Sequence, residues 1–177
     1  MAENLKVTRY RNGDTIPNIT DNKEWSNLKT GALCNYNNND SIGKIYGKLY
    51  NWYAIIDSRN IAPKGWHIPT TEEMQVLINY LGGENVAGGK MKEKGTLHWL
   101  WPNFGATNIS GFSALPGGYR NHIDGTFHTL RSNCYLWSTI ESYEIYAWSK
   151  QIFYALADEN PELDFTNFGF SVRCIKD

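Results

Sequence analysis

The sequence has no long apolar run, no excess of charge of either sign and no closely spaced pair of cysteines. No stretch approaches the length of a membrane-spanning helix, and Met1-Ala2-Glu3-Asn4-Leu5 lacks the basic, apolar and small-residue sections of a signal peptide. Direct membrane insertion is therefore not expected, although a trimmed export signal would leave the same picture. Lys plus Arg number 17 against 18 for Asp plus Glu, so no net field steers the chain toward nucleic acid or anionic lipid. Cys34, Cys134 and Cys174 are too far apart for a CxxC metal or redox motif, which leaves buried small hydrophobes or one long-range disulfide. His67, His98, His122 and His128 are scattered and sit in neither a HExxH nor a Gly-x-Ser-x-Gly setting, so neither zinc-protease nor serine-hydrolase chemistry is indicated and no cofactor is expected.

What the chain does have is aromatic side chains, 7 Trp and 11 Tyr in 177 residues, with only 20% charged residues. This balance suits a rigid, aromatic-rich β protein, and the length suits a single domain over 1–177. Asn4 to Tyr10 alternates like a strand, and the polar stretch from Pro17 to Gly43 reads as surface loop anchored by Trp25 and Tyr36. Tyr46, Leu49, Tyr50, Tyr53 and Ile56 recur at three- and four-residue spacing, which predicts a first helix. Thr70-Thr71-Glu72-Glu73 is a capping box opening a second, with Met74, Leu77, Ile78 and Leu81 as its buried stripe and Gly82-Gly83 as its stop. The region after Gly83 reads as loop. Phe112 to Pro116, Tyr135 to Ser138, Tyr146 to Tyr154 and Phe170 to Ile175 are the candidate strands, with Trp137, Phe112, Phe170, Trp52 and Trp66 as core. Two helices and a mostly antiparallel sheet give an α+β class.

Several blocks then carry a family likeness: Met1 to Lys6, Tyr50-Asn51-Trp52-Tyr53-Ala54, Gly65-Trp66-His67-Ile68-Pro69-Thr70, Ala114 to Arg120 with its Gly117-Gly118 pair, and Gly169-Phe170-Ser171-Val172-Arg173-Cys174. Together they resemble the Fibrobacter succinogenes major paralogous domain family, found in Bacteroidetes-type surface proteins and lipoproteins. The resemblance implies a C-type-lectin-like fold of the formylglycine-generating-enzyme branch, with two helices flanking a small twisted sheet and long loops. It implies a cell-surface, extracellular or virion-associated location and a protein or glycan ligand. Ala62 stands where the family usually has a cysteine, so a disulfide from there to Cys174 cannot form. The family's first block usually starts ahead of Met1, which implies a clipped first strand and a missing leader or domain.

The family also includes targets of diversity-generating retroelements, some carried by phage, in which a C-terminal sheet displays residues varied at adenines. The stretch from Leu130 to Phe168 lies where such a variable region would sit. Trp137, Glu141, Trp148, Lys150 and Glu162 would be fixed in that scheme. Ser132, Asn133, Tyr135, Leu136, Tyr143, Tyr146, Phe153, Tyr154, Asp158, Asn160, Asp164 and Phe165 are permitted outcomes and form the candidate ligand-binding set. Aromatics interleaved with small polar residues make an adaptable contact surface.

Catalysis of the formylglycine-generating kind requires a close pair of copper-binding cysteines, and Cys134 and Cys174 sit in no matching motif. Asp158, Asn160, Glu162 and Asp164 alternate as hard calcium ligands would, but Leu163 and Gly169 occupy the EF-hand positions that need Gly and Glu. The run reads instead as a solvated acidic loop. Trp101-Pro102-Asn103 is a near miss to the sugar-chelating triplets of lectins. The sequence thus favours a non-catalytic recognition domain, with a carbohydrate-binding or cell-envelope module as the alternative.

Overall fold

The computed structural model describes residues 1, 3–143 and 145–177, and their side chains apart from those of 140–143 and 160. The architecture is α+β, with several small antiparallel sheets rather than one. The helix predicted from Thr70 is present as α4 (Thr71–Tyr80; the helices before it are α1, Asn22–Ser26, α2, Asp40–Tyr46, and α3, Trp52–Ile55). Its capping box is complete: the Thr70 hydroxyl accepts from Glu73 N at 3.2 Å and the Glu73 carboxylate accepts from Thr70 N at 2.9 Å. Met74, Ile78 and Leu81 are buried, and Gly82 and Gly83 both take positive φ.

Other sequence expectations fail for physical reasons. The helix predicted across Tyr46 to Ile56 is broken at Gly47 (φ 82°), where a Cβ would lie 2.6 Å from Asn4 Cβ. Beyond it Leu49–Tyr50 forms a strand, β2, paired with β1 (Leu33–Cys34), before α3 begins. A helix–strand–helix sequence has mimicked one helical stripe. The region after Gly83, expected to be loop, opens with α5 (Glu84–Met91). Gly88 and Gly89 lie inside it because the helix presses on two loops: a Cβ would stand 2.0 Å from Asp158 O at Gly88 and 2.5 Å from Gly105 O at Gly89. Asn4 to Tyr10 makes no strand, and Leu5 N instead donates singly to Val172 O. The polar Pro17 to Gly43 segment holds α1, β1 and most of α2, while Trp25 and Tyr36 are buried anchors as expected.

The main sheet runs β6 (Asn133–Tyr143), β7 (Tyr146–Phe153), β8 (Glu159–Phe165), all antiparallel. The acidic run read as a solvated loop is strand β8, because its backbone completes the ladder with β7. The smaller sheets pair β3 (Trp66–His67) with β9 (Ile175–Lys176), and β4 (Tyr119–Arg120) with β5 (Phe127–His128). Phe112 to Pro116 and Phe170 to Cys174 contribute only single bridges, at Ala114, Phe170 and Ser171. Both faces of β6 are covered: Tyr135 and Trp137 join a core with Tyr50, Trp52, Phe170 and Val172, whereas Cys134 and Leu136 join a second core with Met74, Ile78, Trp99 and Ile152. Phe112 and Trp66, expected in the core, are half-buried at its edges.

Three buried cations hold the loops between these elements. Lys92, fully buried, donates from Nζ to Phe104 O (2.8 Å), Phe153 O (2.8 Å) and Leu156 O (2.6 Å), so each ammonium hydrogen has one carbonyl. Burial pulls its pKa down to about 8, which still leaves it cationic at neutral pH. Arg120 donates to Gly125 O, Ile19 O, Thr20 O and Asp21 O and lies 4.5 Å over the Trp25 ring. Arg173 bonds Asn4 Oδ1 at 2.7 Å and the carbonyls of Met1, Phe112 and Ser113.

Replacing Lys92 with Met strands three carbonyls and should lower unfolding free energy by about 3 kcal/mol in urea titrations. Lys94→Met, at an exposed neighbour, should change it by less than about 0.5 kcal/mol. His67 provides a second check. Its Nδ1 lies 2.7 Å from Asp177 Oδ1 and its Nε2 3.0 Å from Glu73 Oε1, and these partners raise its pKa. A raised folded-state pKa stabilises fully below the unfolded value, about 6.5, and the gain disappears as pH rises through the folded value. The melting-temperature difference between wild type and His67→Gln should therefore shrink from about pH 6.5 upward, and stay small throughout because the ring is over a third exposed.

Candidate ligand-binding face

The register of the main sheet decides which side chains share a face. Tyr135 pairs with Gln151, Trp137 with Ser149, and Ala147 with Asp164, so these positions line one side. On it the fully buried Ser149 donates from Oγ to Asp164 Oδ2 at 2.6 Å, and Gln151 Nε2 approaches the same oxygen at 3.4 Å. Burial raises the Asp164 pKa against the Ser149 hydrogen bond, and the neighbouring charge of Glu162 raises it further. Among the described residues, both hydrogen bonds to this carboxylate fall on Oδ2 and no Lys or Arg pairs with it.

Burial raises the phenol pKa of Tyr119 and of Tyr135, and the nearby charge of Asp164 adds to both, so the Tyr119 end of a row of rings lies by this carboxylate. Tyr146 lies 4.7 Å from Phe165, which stacks on His122 at 4.2 Å and 16°. His122 meets Phe168 at 4.4 Å, Phe168 meets Tyr119 edge-on at 5.5 Å, and Tyr119 stacks on His128 at 5.2 Å. From Tyr119 the contacts continue inward through Tyr135 and Phe170 to Trp137. The surface rings are thus an extension of the core. Desolvation lowers the His122 pKa and keeps that ring neutral at pH 7, which suits stacking.

The twelve sequence-predicted contact residues divide. Asn133, Tyr135 and Leu136 are corrected to scaffold: Asn133 is buried with Nδ2 donating to Tyr135 OH at 2.9 Å, Tyr135 stacks on Phe170, and Leu136 fills the second core. Ser132, half-buried, donates to Thr129 O at 3.0 Å at the foot of β6. Tyr146, Phe153, Tyr154, Asp158, Asp164 and Phe165 are all half-buried. The side chains of Tyr143 and Asn160 lie outside the described residues. Phe165 and Tyr146 meet as a cross-strand pair one position along from Asp164, whose side chain alternates to the Ser149 and Gln151 side, whereas Tyr154 packs against the second core and Asp158 lies against α5 at Gly88.

Sequence reasoning missed Tyr119, Gln151 and Phe168. Gln151 and Asp164 stand thirteen positions apart and only strand register joins them. His122 and His128, isolated in the sequence, flank the Asp124-Gly125 turn, and the β4–β5 hairpin places both on the ring row. Among the residues treated as fixed, Trp137 is buried, Lys150 pairs with buried Glu159 at 3.2 Å, Trp148 is half-buried and Glu162 is exposed; the Glu141 side chain lies outside the described residues.

Among the described residues, no three His, Cys, Asp or Glu side chains converge as metal ligands. All three cysteines are free and buried, and burial pushes the Cys34 and Cys134 thiols up to about 12 and Cys174 to about 11. Cys134 and Cys174 belong to different core clusters. The long-range disulfide left open by the sequence is not formed.

No curated protein and no solved structure matches the chain. A family match does cover it, the Fibrobacter succinogenes major domain over residues 1–176. The blocks that carried the resemblance also carry the buried staples, Arg120 in one and Arg173 in another, and this chain belongs to the Fibrobacter succinogenes major domain family.

Proposed function

We propose that this protein is a non-catalytic recognition domain with a C-type-lectin-like scaffold, which takes a protein or glycan ligand on the face that Asp164 shares with the Tyr119 end of the ring row. The reading rests on one observation: a half-buried carboxylate without a cationic partner among the described residues, set beside rings anchored in the core. Such a face presents a desolvated acceptor and flat apolar surface with little ordering left to lose, so binding costs less entropy. The location proposed from the family likeness is a cell surface, the extracellular space or a virion.

Diversification by a retroelement fits this reading in a narrowed form. Variation at Asn133, Tyr135 or Leu136 would disturb the core, and at Tyr154 its packing against the second core, so among the described positions the tolerant ones are Ser132, Tyr146, Phe153, Asp158, Asp164 and Phe165. A reverse transcriptase gene beside a near-copy of the 130–168 coding segment, differing at adenines, supports diversification. An isolated gene without either removes it. The carbohydrate reading draws on the pairing of an acid with aromatic rings, a combination that accepts sugar hydroxyls and stacks on sugar faces.

A glycan array and affinity capture from envelope extracts separate the two ligands. Whichever ligand is retained, Asp164→Asn and Phe165→Ala should each weaken its binding about tenfold, the scale of a lost hydrogen bond to a charged group or of a lost aromatic contact. Undiminished binding by both variants would move the site elsewhere.

A further inference from the structure

A second surface differs in chemistry from the acid-centred face. The loop between α5 and β4 exposes Leu97 (77%), Leu100, Trp101 (81%) and Phe104 (59%), with Leu156 exposed alongside. These side chains are held outward. Trp99 between them is fully buried and donates from Nε1 to Ala114 O at 2.9 Å, and Asn103 bonds the carbonyls of Glu93 and Gly95 at 2.9 and 2.6 Å. Leu100 N donates to Arg131 O at 2.8 Å and Phe104 N to Tyr154 O at 2.7 Å. Lys92 Nζ fixes the Phe104 and Leu156 carbonyls together. A loop so braced keeps its apolar tips in water.

Charge is distributed unevenly around it. From Lys94 to Ile123 the sequence contains no Asp or Glu. Glu93 is engaged by His98 at 2.8 Å, and the Oδ1 of Asp158, two residues past Leu156, is buried. Lys94 and Arg131 are exposed, with the Arg131 guanidinium bonded to His98 O and Thr96 O beneath the loop.

We propose that the loop from Lys94 to Gly105 is a peripheral membrane-docking element, seating Leu97, Leu100, Trp101 and Phe104 at the headgroup level of an anionic lipid bilayer. Aliphatic and indole tips flanked by basic side chains are the interfacial combination. Leucine is under-represented among the residues that dominate protein–protein binding, so a bilayer fits the aliphatic tips better than a protein partner does. The overall charge of −1 removes long-range steering, which led the sequence reading away from anionic lipid. Attraction within one Debye length depends instead on the local charges, where Lys94 and Arg131 are exposed and Glu93 is engaged by His98.

Co-sedimentation of the chain with phosphatidylcholine vesicles, with and without phosphatidylserine, tests this. Binding should require phosphatidylserine and weaken as salt is raised. Trp101→Ser and Leu97→Ser should each reduce partitioning about tenfold, and Lys94→Glu severalfold. Val76→Ser and Tyr80→Ser, on the exposed face of α4, should leave partitioning unchanged, and all variants should melt like wild type. Absence of binding to phosphatidylserine vesicles at low salt overturns the proposal, as does equal loss in the α4 variants. Self-association abolished by Trp101→Ser, without vesicle binding, also overturns it and assigns the loop to a second copy of the chain.

Discussion

The fold depends on backbone carbonyls that no ladder satisfies, and on buried cations that satisfy them. Among the described residues, six of the nine strands are two residues long and most connections are irregular, so many carbonyls enter the interior without a strand or helix partner. Lys92, Arg120 and Arg173 each gather carbonyls from segments distant in sequence. Burying a charge is costly alone, but here the donors are matched to several acceptors each, which offsets desolvation. The choice of cation follows geometry. Lys92 meets three carbonyls converging on a point, whereas Arg120 uses a planar fork across the start of α1 while stacking on Trp25 and Phe127.

The sealing of the core also explains two glycines of the family blocks, Gly118 and Gly169. Gly169 must lack a side chain because a Cβ there would sit 2.8 Å from the Trp25 ring and 3.0 Å from Arg120 Cβ. Gly118, at φ 63°, would bring a Cβ within 2.3 Å of His128 O. Both glycines let the β4–β5 hairpin close onto the chain's last segment, where Arg120 and Gly169 exchange backbone hydrogen bonds. That closure brings Tyr119 and His122 against Phe168 and Phe165, which creates the ring row. The surface is a by-product of how the core is sealed.

How much of this was legible follows from the range of the interactions. The capping box of α4 is local, and the sequence showed it in full. The α5 helix was hidden because Gly88 and Gly89 argue against helix locally, and their reason lies in contact with Ala157, Asp158 and Gly105. Strand β8 was hidden by its acids and Pro161, which sit on an edge strand where charge and proline are tolerated. The misplacement of Asn133, Tyr135 and Leu136 has a topological cause. Strand β6 lies between two cores, so period-two reasoning that assigns one face to solvent fails there. Asp164 and Phe165 were legible as types, but their partners Ser149, Gln151 and His122 are joined only by register and hairpin closure.

One staple links the two surfaces. Lys92 Nζ holds Phe153 O, two residues beyond Gln151 on the strand bearing the acid-centred face, and Phe104 O on the apolar loop. Its third acceptor, Leu156 O, sits on the connection into β8. The end of β7, the turn to β8 and the Lys94 to Gly105 loop are therefore fixed against a single buried point. A loop pinned in this way does not exchange its apolar tips into the core when free, so their exposure is a stable property rather than a fluctuation. The same point keeps β8 in register with β7, on which the meeting of Asp164 with Ser149 and Gln151 depends.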